Sequence, residues 1–222
     1  MNLSENMSNS FEYAKKLFSD VGRLIILIVL DLIPLVNLIV IGYAARVLRE
    51  SPGTEAPPIL EKYGDMFVDG AKIFVASLIY MFIPLVLIGS GAAALVTAIA
   101  ARGGQDFLKG LLLLGGTGLV LVFVGVLLAF VMLIVLAAGI AHMIKTTRFG
   151  KAFAFGEIFS IIGRIGWIRY LAWVVLVAVI SVMVGAIGSI PYIGWVVGAV
   201  IAPVVMVFFF RSLGILYSEG AE

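Results

Sequence analysis

Apolar residues run along this chain in five blocks, near 24–48, 73–101, 108–144, 167–189 and 193–217, with short polar stretches between them. A helix needs about 20 apolar residues, each rising about 1.5 Å, to cross a hydrocarbon core. The last four blocks meet that length, and the third exceeds it. Early in the third, the glycines of "LLLLGGTGLV" (111–120) predict an interfacial turn ahead of a span near 118–144. The runs are continuous, whereas strands of a membrane barrel alternate apolar and polar positions. The pattern therefore predicts an all-α polytopic bundle, a single membrane domain over 1–222, with five to six membrane helical segments.

Three shorter segments are amphipathic and stand just before apolar blocks: the N-terminal segment 1–22 (chiefly "SFEYAKKLFSDVG", 10–22), "PPILEKYGDMFVDG" (57–70) and "KAFAFGEIFSIIG" (151–163). In the second, Ile59, Tyr63, Met66 and Phe67 share one helical face, while Glu61, Asp65 and Asp69 share another. Helices of this kind lie in the plane of the membrane interface. Pro58 suits a first helical turn, after the turn-rich connector "SPGTEAPP".

The first block, "RLIILIVLDLIPLVNLIVIGYAARVLR" (23–49), holds Asp31, Pro34 and Asn37 near its middle. Internal similarity clarifies it. "FSDVGRL" (18–24) matches "FSIIGRI" (159–165), "IPLVN" (33–37) matches "IPYIG" (190–194), and Arg46 and Arg211 follow in the same order. In the second copy Gly163 and Pro191 stand 28 positions apart, long enough to cross; in the first, Gly22 and Pro34 stand only 12 apart. An arm of that length reaches about 18 Å, little more than half the core.

Charge separates two topologies. A single kinked span at 23–49 would divide the lysines and arginines ten against five, whereas a re-entrant hairpin tipped at Pro34 divides them 13 against 2. Cytoplasmic loops carry the excess of Lys and Arg, so the hairpin is the cleaner assignment. Both termini are then expected on the cytoplasmic side of the plasma membrane. An aspartate at a span centre costs on the order of 3 kcal/mol, which a hairpin tip held by protein avoids. Pro34 kinking one tilted span is the competing reading.

Composition narrows the function. Hydrophobic residues make up 63% of the chain and charged residues 13%, far from soluble usage, so lipid is the expected solvent. A net charge of +2 with scattered basic residues argues against nucleic acid. The chain has no cysteine and one histidine, His142, which leaves no thiolate nucleophile, zinc knuckle or His-rich metal site. A cleaved leader is not expected, because Asp31 and Pro34 interrupt the first apolar run. No nucleophile elbow, zinc-protease helix or phosphate loop is present, and no cofactor is called for.

Asp31 and Asn37, flanking the Pro34 turn, form the candidate polar membrane site, since an intramembrane ionisable residue is a functional hypothesis by default. The structural alternative is that Asp31 caps the second arm by accepting backbone N–H bonds near Pro34. His142, with no carboxylate in helical reach, reads as an interfacial residue beside Lys145, and the Glu61, Asp65 and Asp69 stripe reads as a solvated face. Pro34, Pro191 and Gly194 are turn residues, and Gly194 with Gly198 gives the small-xxx-small pattern of close helix packing. Trp167, Trp173, Trp195 and Tyr192 read as interfacial anchors.

The segments "IPLVNLIVIGYAARVLR" (33–49), "PPILEKYGDMFVDGAKIFVASLIY" (57–80), "FGEIFSIIGRIGWIRYLA" (155–172) and "IPYIGWVVGAV" (190–200) together resemble an uncharacterised prokaryotic, mostly archaeal family, domain of unknown function 4013. That family looks distantly similar to membrane domains accompanying some glycerophosphodiester phosphodiesterases. The resemblance implies a polytopic membrane protein without assigned activity and transfers no catalytic residue. The expected function is a non-enzymatic binding or assembly partner for membrane lipid, another membrane protein or a second copy of itself. The alternatives are a small-ion or solute channel or carrier using the Asp31 region, and an intramembrane enzyme.

Overall fold

The computed structural model describes residues 2–100, 112 and 115–221. Every regular element among them is helical, in the order α1 (Leu3–Lys15), α2 (Val21–Leu32), α3 (Leu38–Glu50), α4 (Tyr63–Ala100), α5 (Gly116–Thr146), α6 (Phe155–Ile165), α7 (Trp167–Gly188) and α8 (Gly194–Ala221). Single 3-10 turns sit at Lys16–Ser19 and Phe149–Phe153. Four helices (α4, α5, α7 and α8) are long and apolar enough to cross a membrane. Their surfaces carry large apolar side chains such as Phe82, Phe123 and Val182, each about two-thirds exposed or more. A soluble protein avoids continuous apolar surface of this kind; the four helices suit a multi-pass membrane protein.

The chain forms two compact units, 1–76 with 137–222, and 77–136. In the first, α8 is the hub and packs against α1, α2, α3, α6 and α7. Tyr13, Leu17, Leu27, Tyr43 and Leu216 are fully buried around it. The second is an antiparallel pair made by the later part of α4 and the earlier part of α5. There Gly91 and Gly118 approach so closely that a Cβ on Gly118 would lie 2.8 Å from the Gly91 carbonyl oxygen. Small residues give membrane helices this proximity where no hydrophobic effect drives them together. Of the glycines of "LLLLGGTGLV", Gly118 thus serves packing, while Gly116 faces open space; both already belong to α5, and residues 111, 113 and 114 of the expected turn lie outside the described residues.

The opening block is a helix–turn–helix. Asp20 starts α2 by accepting the Arg23 backbone N–H at 3.0 Å, an N-cap that satisfies one orphan donor. The chain reverses over 33–37, and α3 returns against α2. Both feet are tied to one strap, residues 57–61. Arg23 donates to the carbonyls of Pro57 (2.7 Å) and Pro58 (3.0 Å), Tyr43 donates to Pro58 (2.9 Å), and Arg46 reaches the carbonyls of Ile59 and Glu61 at 3.3 Å.

That strap corrects the expected interfacial helix over 57–70. Residues 57–62 are non-helical, α4 begins only at Tyr63, and Lys62 takes φ 56° just before it. Four carbonyls of the segment already serve Arg23, Tyr43 and Arg46, so its backbone cannot also close a helical ladder. Of the expected apolar face only Met66 is buried. The other two amphipathic segments are helical with shifted bounds. α1 starts earlier, at Leu3, on a capping box formed by Asn2 and Glu5; α6 begins after a 3-10 turn and buries Ile158, Ile161, Ile162 and Ile165.

The sequence repeat survives at the turns. Leu35 and Tyr192, each following an Ile-Pro, both take φ 67°. Asn37 N–H donates to the Ile33 carbonyl at 3.0 Å, as Gly194 N–H does to Ile190 at 2.9 Å. Upstream the copies diverge: Gly22 and Arg23 open α2, whereas Gly163 and Arg164 close α6 before Gly166 at φ 96°.

A polar cleft at the helix ends

The hairpin places its polar residues at the end of one arm and the start of the other. Asp31 lies in the last turn of α2, partly exposed, and Asn37 at the N-cap position of α3. Asp31 makes no capping bond. The turn satisfies the α3 start with its own carbonyls, Leu38 donating to Leu35 at 3.3 Å and Ile39 to Val36 at 2.9 Å, which the left-handed Leu35 permits. Asn37 takes part through its backbone alone, its N–H donating to Ile33 and its carbonyl accepting from Val40 and Ile41. Pro34 is exposed at the tip, as is Pro191 in the α7–α8 turn. Gly194 is buried, and a Cβ there would stand 2.4 Å from the Ile187 carbonyl oxygen.

Two of the three acids of the stripe face cations. Asp69 accepts from Arg49 at 2.6 Å and Lys72 at 3.2 Å, and Glu61 faces Arg46 at 3.9 Å. Trp173 is buried rather than interfacial, its indole N–H donating to Ser212 Oγ at 3.0 Å. Ser212 also offers its carbonyl to Asn6 Nδ2 at 3.1 Å, so one residue joins α1, α7 and α8. Next to it, Arg211 lies 4.3 Å over the Tyr13 ring and donates to Ser51 Oγ and the Pro52 carbonyl. Lys145 donates to the carbonyls of Arg49 and Ser51. These bonds carry no chemistry of their own; they lock the ends of α1, α3, α5, α7 and α8 together.

The residues that sequence spacing passed over are around His142. It is buried near the end of α5, with both ring nitrogens engaged: Nδ1 lies 2.7 Å from the Tyr217 hydroxyl and Nε2 lies 2.7 Å from Glu157 Oε2. With the imidazole neutral, Nε2–H donates to the carboxylate and Nδ1 accepts from the phenol. The carboxylate that helical reach did not supply comes from α6, and the phenol from α8, 75 positions away. Glu157 Oε1 is taken by Lys151 at 2.5 Å. The Lys151 ammonium, then the His142 contact, hold the Glu157 carboxyl below the usual carboxylate range.

This network walls an open cleft of about 360 Å³, lined also by Gly156, Ser160, Ile161, Arg164 and Ala221. Glu157, Ser160 and Arg164 fall at i, i+3 and i+7 of α6, one stripe of the helix. Chemically the cleft offers a hydroxyl and a guanidinium beside a neutralised carboxylate.

The family described as "Protein of unknown function (DUF4013)" matches residues 25–193, from the first hairpin arm to the Ile-Pro turn between α7 and α8. No curated protein and no solved structure matches the chain. With more than half of its length under that match, the chain belongs to the DUF4013 family of proteins of unknown function.

Proposed function

We propose that this is a multi-pass, non-enzymatic protein of the cytoplasmic membrane that holds anionic lipid or a partner membrane protein against a cytoplasmic platform rich in lysine and arginine. The observation that carries this is a shared location. The start of α4, the end of α5, the start of α7, the end of α8 and both feet of the α2–α3 hairpin all belong to the first unit. Every lysine and arginine except Arg102 and Lys109 falls there too. An excess of Lys and Arg marks the cytoplasmic side; because twelve of the thirteen acidic residues share the unit, attraction for anionic lipid rests on local unpaired basic residues rather than on net charge.

On this reading the α2–α3 hairpin is re-entrant. Its arms of 12 and 13 residues reach about 18–20 Å each, against a core of about 30 Å. The expected test is native mass spectrometry of the intact chain from nanodiscs. Phosphatidylglycerol should remain bound in preference to phosphatidylcholine, and equal retention of the two would refute lipid selection by the platform.

A carrier reading has one observation in its favour: among the described residues, Asp31 and Asn37 have no side-chain hydrogen-bond partner. Liposome flux measured for wild type and Asp31→Asn decides it, and absence of flux in both removes it.

A further inference from the structure

The geometry points to a defined anion site in the His142 cleft, which we propose binds one phosphate group through Arg164 and Ser160. This inference rests on the platform reading above and gives it a specific address. Three features of the cleft converge.

First, Arg164, like Arg148 outside the cleft, has no side-chain hydrogen-bond or ion-pair partner among the described residues, unlike Arg23, Arg46, Arg49, Arg169 and Arg211 in the same unit. Its guanidinium lines the cleft and its charge acts on the Tyr217 hydroxyl. Second, the one carboxylate among the described residues lining the cleft is already spent. Glu157 accepts from Lys151 with one oxygen and from His142 with the other, so it does not compete for Arg164. The Tyr217 hydroxyl is likewise turned to His142. The donors left for a ligand are the Arg164 fork and the Ser160 hydroxyl, four residues apart on one face of α6.

Third, the neighbouring surface is aromatic. Phe159 stacks on Trp167 at 6.0 Å between centroids, and both are exposed. A planar guanidinium bonds two non-bridging phosphate oxygens at once, and a hydroxyl reaches a third. Exposed aromatic rings beside such a site suit the glycerol and upper acyl region of a phospholipid. A phospholipid headgroup and free inorganic phosphate share the chemistry these donors recognise.

The experiment uses the intact chain in two arms: phosphatidylglycerol titrated into phosphatidylcholine nanodiscs, and inorganic phosphate titrated onto protein in neutral detergent. Wild type is compared with Arg164→Gln, Ser160→Ala and Arg148→Gln; Arg148 is exposed and outside the cleft. Loss of a charge-assisted bidentate contact lowers affinity about tenfold or more. Arg164→Gln is expected to do so, Ser160→Ala less, and Arg148→Gln barely, with melting temperatures unchanged because both cleft side chains are exposed. Saturation only in the nanodisc arm assigns the site to lipid; saturation in the detergent arm assigns it to free phosphate.

Equal effects of Arg164→Gln and Arg148→Gln overturn the site while leaving the platform standing. If wild type itself shows no preference for phosphatidylglycerol over phosphatidylcholine and no phosphate saturation, the site and lipid selection by the platform both fall.

Discussion

Single residues hold this structure at points where sequence alone gives uneven warning. Asp20 starts α2, and the Arg23 backbone N–H, then its guanidinium, keep the Asp20 carboxyl below the usual carboxylate value. A group with a lowered folded pKa stabilises above its unfolded value, about pH 4, and loses that contribution as pH falls through the folded value. Thermal melts in detergent should therefore show wild type above Asp20→Asn at pH 7 and converging with it in strong acid. At Gly42 an added Cβ would stand 1.7 Å from the Met66 carbonyl oxygen. Gly42→Leu should cost on the order of 3 kcal/mol or abolish folding, read as lost monodispersity in size exclusion. Pro34 and Pro191 announced their turns because proline punctuates a helix visibly. His142 gave no such notice: its partners, 15 and 75 positions away, come together only through tertiary packing.

Among the elements, the first hairpin is the one whose length decides what it can do. Its turn is built like the α7–α8 turn, with a left-handed residue after Ile-Pro, and its arms of 12 and 13 residues reach about 18–20 Å each. Holding leucine in the left-handed region costs about 1–2 kcal/mol, and Leu35 is largely exposed, so its side chain returns little. Leu35→Gly should match or exceed wild type in melting temperature, whereas β-branched Leu35→Val should fall below it; the reverse order would contradict the turn geometry. Long apolar runs marked α4, α5, α7 and α8 to within a few residues, except that α4 begins ten residues before its expected span. The strap at 57–61 carries the amphipathic spacing of a helix yet is non-helical, because that spacing is a local signal. What keeps it extended is three side chains from α2 and α3, which bind its carbonyls first. Trp173 misled for a related reason: an aromatic near a span end looks like an anchor until Ser212 on another helix supplies a partner.

On the scale of the whole molecule, the account places the start of α4, the end of α5, the start of α7, the end of α8 and both feet of the hairpin on one cytoplasmic face rich in lysine and arginine. The 13-to-2 division of charge favours this reading, and the strap supports it, since Arg23 and Arg46 at opposite ends of the opening block bind carbonyls of the same five-residue segment. The anion site belongs to that platform but was not legible in the sequence, where Arg164 is one basic residue among fifteen. The chain has no native cysteine, so single cysteines report sidedness without background. Cysteines placed at the exposed positions Ser8, Gly53 and Gly150, labelled with an impermeant maleimide in right-side-out and inside-out vesicles, test the central claim directly. The account predicts that all three react only in inside-out vesicles; position 8 reacting from the outside while 53 and 150 react from the inside would show that 23–49 crosses the membrane, and would contradict it.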